Sequence, residues 1–199
     1  ERKTELLLSY IDDILRRDIT RQYRVRKAES LNSLARYYLS NVSHLATYSS
    51  LEKTLDLSAD TVEKFSSYLE TAYLVGFVKR FSSKVKEQEK SPRKVYAIDT
   101  GLANTVGFHF SRDAGAIAEN LVYLHLRSKQ LNNPDFEVYY WKDPRGLEVD
   151  FAVKEGRKVT QLIQVCWQMS NPQTRKRELT SLKKAMQELQ VGEGLILTE

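Results

Sequence analysis

The chain has 199 residues, 41% of them hydrophobic, with 31 Lys and Arg against 26 Asp and Glu for a net charge of +5. That is enough apolar content for one large domain or two small ones, and the positive balance suits a polyanionic partner. No run of about 18 apolar residues offers a membrane helix and no signal-peptide pattern is present; the single cysteine, Cys166, excludes an internal disulfide and a cysteine-rich zinc site, so a cytoplasmic protein without membrane contact is expected.

The chain begins ERKTELL without a methionine, which is read as a fragment lacking an N-terminal part. From Glu5 to about Lys27, Leu6, Leu7, Tyr10, Ile14 and Leu15 recur at helical spacing, predicting a helix and then a basic connector. The stretch RRDITRQYRVRK, Arg16 to Lys27, holds six cations and one anion. It either touches phosphate or stands as a solvated linker.

Leu31, Leu34, Ala35 and Tyr38 describe an amphipathic helix, and Ser50-Leu51 opens a short second one ending near Leu57. Ser58 caps a third, whose apolar stripe is Val62, Phe65, Leu69 and Ala72. After Gly76 come two strand-like runs, FVKRFS and RKVYAID, separated by the polar SKVKEQEKSP. Three short helices and a β-hairpin predict a winged helix-turn-helix over residues 28–100. Its third helix exposes Asp60, Glu63, Lys64 and Glu70, net negative and poorly suited to a DNA major groove. The wing is the basic part, with seven cations and two anions from Lys79 to Lys94. Lys84, Lys86, Lys90, Arg93 and Lys94 are therefore the expected nucleic-acid contacts, with protein or interdomain packing as the other use of such a module.

Glycines and polar residues between Asp99 and Arg112 predict a connector and a domain boundary. Beyond it, helix, strand, strand, strand, helix and strand follow in order, an α-β-β-β-α-β mixed sheet flanked by helices over residues 112–199. Period two in LEVDFAV sends Glu148 and Asp150 to one face of a strand, and in LIQVCWQM it separates Gln164, Cys166 and Gln168 from an apolar face. Trp141 and Trp167 are expected in the core. His44, His109 and His125 show no metal-ligand spacing.

Glu119 has Gly115, Ala116, Val122 and Tyr123 as its helical neighbours and no cation among them, an environment in which a carboxylate is costly unless a metal, a donor or water meets it. A helical Glu, then Asp150 on a strand, then the pair Gln164 and Cys166 resembles the PD-(D/E)XK nuclease superfamily, whose domains have the restriction-endonuclease fold. The resemblance implies Mg²⁺ or Mn²⁺ held by Glu119, Asp150 and Gln164, and a lysine at the position of Cys166 to manage the attacking water. Here Gln164 stands in place of an acid and Cys166 in place of that lysine. An amide oxygen still coordinates Mg²⁺, more weakly, whereas a thiol carries no positive charge, so a cation from the following helix, with Arg175, Lys176, Arg177, Lys183 and Lys184 as candidates and Lys176 or Lys183 as the migrated lysine, would have to replace it; otherwise these residues form a solvated basic face.

The chain as a whole resembles the C-terminal half of archaeal and bacterial AAA-type ATPases, through YIDDILRRDI, YLETAYLVGFVKRF, KVYAIDTGL, AIAENLVYLHL, EVDFAV and LIQVCW. This implies that residues 1–27 are a linker helix from a P-loop ATPase domain, the ATP-binding part, which is absent because no G-x-x-x-x-G-K-[ST] occurs. It also implies further structure after Glu199. The expected function is DNA binding, or presentation of DNA to the missing ATPase, by a winged helix and a degenerate nuclease-like domain with little or no cleavage. The alternatives are an active Mg²⁺-dependent endonuclease with a migrated lysine, and a protein-interaction module.

Overall fold

The computed structural model describes residues 2–106 and 113–199. They form a mixed α/β structure in two compact units, Glu1–Phe77 with Arg93–Arg112, and Val78–Pro92 with Asp113–Glu199. The segment expected as the wing thus has its contacts largely within the second unit.

In the first unit, α1 (Arg2–Asp13) runs into a π-helical stretch, Ile14–Arg21, which buries Leu15 and Ile19. Helix α2 (Ala28–Ser40) buries Leu31, Leu34, Ala35, Tyr38 and Leu39, the stripe its spacing predicts. Strand β1 (Leu45–Ala46) pairs antiparallel with β3 (Arg93–Ala97). Helices α3 (Tyr48–Leu55) and α4 (Ala59–Thr71) start where Thr47 and Ser58 accept the N–H groups of Ser50 and Thr61, at 3.0 and 3.3 Å. The Tyr38 hydroxyl joins α2 to α4 through the buried Ser66 Oγ at 2.7 Å. Strand β2 (Val75–Arg80) follows α4, and the strand order here is β1-β3-β2.

Two local expectations change. The polar stretch between β2 and β3 contains a short helix, α5 (Val85–Lys90), because VKEQEK is rich in good helix formers and Ser82 Oγ accepts the Lys84 N–H at its start. Part of the expected connector is also helical. In α6 (Thr100–Val106) the Leu102 N–H donates to Asp99 Oδ1 at 3.0 Å, and Leu102, Ala103 and Val106 bury one face. The remainder of that connector, with His109, lies outside the described residues.

The second unit runs α7 (Ala114–Asn132), β4 (Phe136–Lys142), β5 (Glu148–Glu155), β6 (Lys158–Val165), α8 (Pro172–Leu189) and β7 (Gly194–Leu197). Its strand order is β2-β4-β5-β6-β7, with parallel pairs at both ends and antiparallel pairs between. Gly156, at φ 59°, makes the β5–β6 turn. Helix α8 begins at Asn171, whose Oδ1 accepts the N–H groups of Gln173 and Thr174, with Pro172 as the first helical residue. Trp141, Val149, Ala152, Leu162, Leu182, Ala185 and Val191 form one core cluster. Gly194 lets β7 close on α8, since a Cβ there would lie 2.9 Å from Leu182 Cγ. Trp141 is 2% exposed, but Trp167 is 41% exposed and is not a core residue; β6 ends at Val165, and the alternation that would have buried Trp167 ends with it. Among the described residues no helix is long and apolar enough to cross a membrane.

Candidate functional site

Strands β5 and β6 pair Phe151 with Ile163 and Ala152 with Leu162. One step further along that register, Asp150 comes beside Gln164, both 6% exposed. The Asp150 backbone N–H donates to Gln164 Oε1 at 3.3 Å, and the Val165 N–H donates to Asp150 Oδ2 at 2.8 Å. The other end of the Gln164 amide, Nε2, donates to Glu178 Oε2 on α8 at 2.8 Å. Arg177 closes the chain, with Nε and Nη2 donating to Glu178 Oε1 at 3.0 and 2.6 Å. A continuous polar chain therefore crosses from strand to helix: Asp150, Gln164, Glu178, Arg177.

These residues line a cavity of about 460 Å³, together with Arg145, Glu148 and Ser181. Glu148 is held by Lys142 Nζ at 2.9 Å. Over the strand entry, Asp143 Oδ1 accepts the N–H groups of Arg145 and Leu147, and Oδ2 meets Lys184 Nζ at 3.0 Å. This pins the turn that presents Arg145 to the cavity. Of the residues expected here, Asp150 and Gln164 are brought together. Glu119, half-buried on α7, is not among the lining residues, and Lys176 and Lys183 are exposed on α8 outside it. The cations that line the site are Arg145 and Arg177.

Glu178 was missed in the sequence, although its signal was present. With Ser181, Leu182 and Ala185 it forms an i, i+3, i+4, i+7 set, all buried, so a carboxylate occupies the inward face of α8. It is tolerable there because both oxygens are satisfied by charged or amide donors. Glu178 in turn raises the Arg177 guanidinium pKa by hydrogen bond and charge.

Of the three residues expected to hold a divalent cation, Asp150 and Gln164 are neighbours, while Glu119 does not line their cavity. Gln164 Oε1, the amide atom able to ligate, already receives the Asp150 N–H, and a guanidinium neutralises the nearest additional carboxylate. Among the described residues, no three His, Cys, Asp or Glu side chains gather into a group that could hold a metal ion.

Cys166 is buried, its N–H donating to Leu197 O at 2.9 Å and its Sγ meeting Gln168 O at 3.4 Å. Burial pushes the thiol pKa up, and the negative charges of Glu178 and Asp150 push the same way. The thiolate therefore forms only above the ordinary thiol range of about 8.5. Iodoacetamide should label the native protein slowly at pH 8 and faster as pH rises further, with full labelling in denaturant; rapid labelling at pH 7 would contradict this environment.

The wing cations are largely spoken for. Lys94 is 2% exposed, so it is not a phosphate contact: it lies on β3 between β1 and β2. Arg93 donates to Tyr48 Oη at 2.7 Å and sits 5.1 Å from that ring's centre. Lys84 pairs with Glu87 at 3.1 Å, and Lys79 with Glu89 at 2.5 Å. Lys86 and Lys90 remain exposed.

Residues 1–113 match the family described as Domain of unknown function (DUF8612). The chain belongs to this family. Residues 114–199 match a second, Domain of unknown function (DUF4143), whose match begins at the first residue of α7. An uncharacterized protein of Methanocaldococcus jannaschii is 30% identical to this DUF8612 chain over 195 residues, 95% of the chain and 42% of that protein. An uncharacterized protein of Haemophilus influenzae is 27% identical over 130 residues, 62% of the chain and 32% of that protein. The chain thus spans less than half the length of these curated relatives. No solved structure matches it.

Proposed function

We propose that this chain is a DNA-binding region of a larger ATPase-type protein, in which a winged helix precedes a nuclease-like unit that does not cleave. The observation that carries the loss of cleavage is the internally satisfied chain Asp150, Gln164, Glu178, Arg177, beside a protonated thiol where the resemblance implies a lysine. Phosphodiester hydrolysis needs a metal or equivalent charge at the phosphate and a group to manage the attacking water. Here the amide oxygen already accepts a backbone N–H and the guanidinium is paired with a carboxylate. The order α7-β4-β5-β6-α8-β7, with β6 and β7 parallel, supports kinship with the nuclease framework, as the order of α2, α3, α4, β2 and β3 supports the winged helix. The net charge of +5 supports a polyanionic partner.

The test is a mobility-shift titration with duplex DNA beside a plasmid-nicking assay in Mn²⁺. Binding at low salt is expected without nicking by wild type. Robust nicking abolished by Asp150→Ala would instead establish an active endonuclease. A second reading, a protein-interaction module, draws on α1, where Leu6, Leu8 and Tyr10 are 49%, 40% and 52% exposed. Absence of any DNA binding at low salt would favour it.

A further inference from the structure

The basic connector that follows α1 and its π-helical extension is built into a groove. Tyr23 stacks on Tyr68 of α4, ring centres 3.8 Å apart and planes 13° from parallel, which fastens the Tyr23–Lys27 turn against that helix. The two segments enclose a cavity of about 320 Å³ to which Arg24, Arg26, Lys27 and Lys64 contribute. All four cations are exposed, and among the described residues none is ion-paired. No carboxylate lines the cavity, and Asp60 and Glu63 of the same helix are not among its lining residues.

Arg24 adds a second, independent observation. Its φ is 51°, in the left-handed region, and it terminates the preceding helix: the Tyr23 N–H donates to Ile19 O and the Val25 N–H to Thr20 O. Glycine is the unstrained residue at such a position. An arginine there spends conformational energy to place a guanidinium at the groove mouth.

We propose that the groove between the Tyr23–Lys27 turn and α4 is where this chain grips the phosphodiester backbone of DNA, a site that rests on the DNA-binding reading above and relocates it from the wing. Paired guanidinium forks suit phosphate oxygens, and Arg17 and Arg21 continue the positive charge along the chain, as a linear polyanion requires. The groove also answers the objection that α4 is acidic. The connector, not the helix, supplies most of the charge.

The experiment is fluorescence anisotropy of a short labelled duplex over a salt series. It compares wild type, Arg24→Gly alone, Arg24→Gly with Arg26→Gln and Lys64→Gln, and the wing control Lys86→Gln with Lys90→Gln. Each lost phosphate contact removes about 0.9 from the slope of log affinity against log salt, so the triple variant should lose about 2.7. The wing control removes two cations, which would lower the slope by about 1.8 if both met phosphate, and should leave it close to the wild-type value. Arg24→Gly relieves a strained backbone, so it should lower affinity several-fold with an undiminished Tm, which separates binding from folding. Wild-type binding with an unchanged slope in the triple variant overturns this site and leaves DNA binding standing. No wild-type binding at low salt overturns both. Poly-glutamate displacing the duplex at equal charge concentration would assign the groove to an acidic protein and overturn the proposal.

Discussion

Gln164→Glu is expected to destabilise the protein by about 2–3 kcal/mol at pH 7 in the absence of divalent cations. The change is one atom in size but reverses a hydrogen bond. Gln164 Nε2 now donates to Glu178 Oε2 at 2.8 Å, and the introduced carboxylate would set two acceptors against each other beside Asp150. Gln164 is 6% exposed and the Glu178 side chain 8%, so water screens little of the repulsion. At an effective dielectric of about 20, like charges some 4 Å apart repel by about 4 kcal/mol. Relaxation and partial protonation lower the observed cost. The introduced carboxyl would have its folded-state pKa raised above the ordinary Glu value of about 4.3. Its destabilisation therefore shrinks as pH falls through that raised value and is largest above it. Thermal unfolding at pH 7 and pH 5 with EDTA measures both effects. A second series in Mn²⁺ asks whether restoring the acid also restores an ion site: a Tm increase in the variant, absent in wild type, is the expected result. Equal stability of variant and wild type at pH 7 would show that the Gln164–Glu178 bond is not formed.

Trp141→Ala is expected to cost about 3–5 kcal/mol, whereas Trp167→Ala should cost less than about 1 kcal/mol. The two tryptophans differ in what they touch. Trp141 sits where the β4–β5 register shifts and packs with Val149, Leu162, Leu182 and Val191, its Nε1 donating to Glu188 Oε1 at 3.3 Å. Removing it empties the layer between the sheet and α8, the helix that carries Arg177 and Glu178. Trp167 lies past the end of β6 with 41% of its surface in water. Denaturant unfolding of both variants distinguishes them. Indole fluorescence should show the remaining tryptophan as buried in Trp167→Ala and wet in Trp141→Ala. Similar losses in the two variants would contradict the core assignment.

The elements themselves were legible because their rules are local. Pro172 and Asn171 announce α8, period two announces β5 and β6, and the side chains that alternation sends to one face, Asp150 and Gln164, meet across the strand pair. Helix α6 and the short helix α5 were not legible. Helix α6 depends on the Asp99 cap and three buried residues and α5 on helix-favouring residues, each within seven or fewer positions, too short a span for periodicity to register.

What the amino-acid sequence by itself determined was which residues could share a face, since that follows from backbone geometry alone. Only the tertiary structure decided which partners those faces meet. Glu178 and Gln164 lie 14 residues apart and join because α8 folds back on the sheet, which links Asp150 and Gln164 of the expected face into a hydrogen-bonded chain with the helix. Likewise Lys94, read as a phosphate contact in a basic run, is buried by strand pairing, while the connector cations gain a common groove through one aromatic stack between residues 23 and 68. Charge in a sequence is a list of signs. Its chemistry is set by distance and desolvation, and both come from contacts between segments remote along the chain.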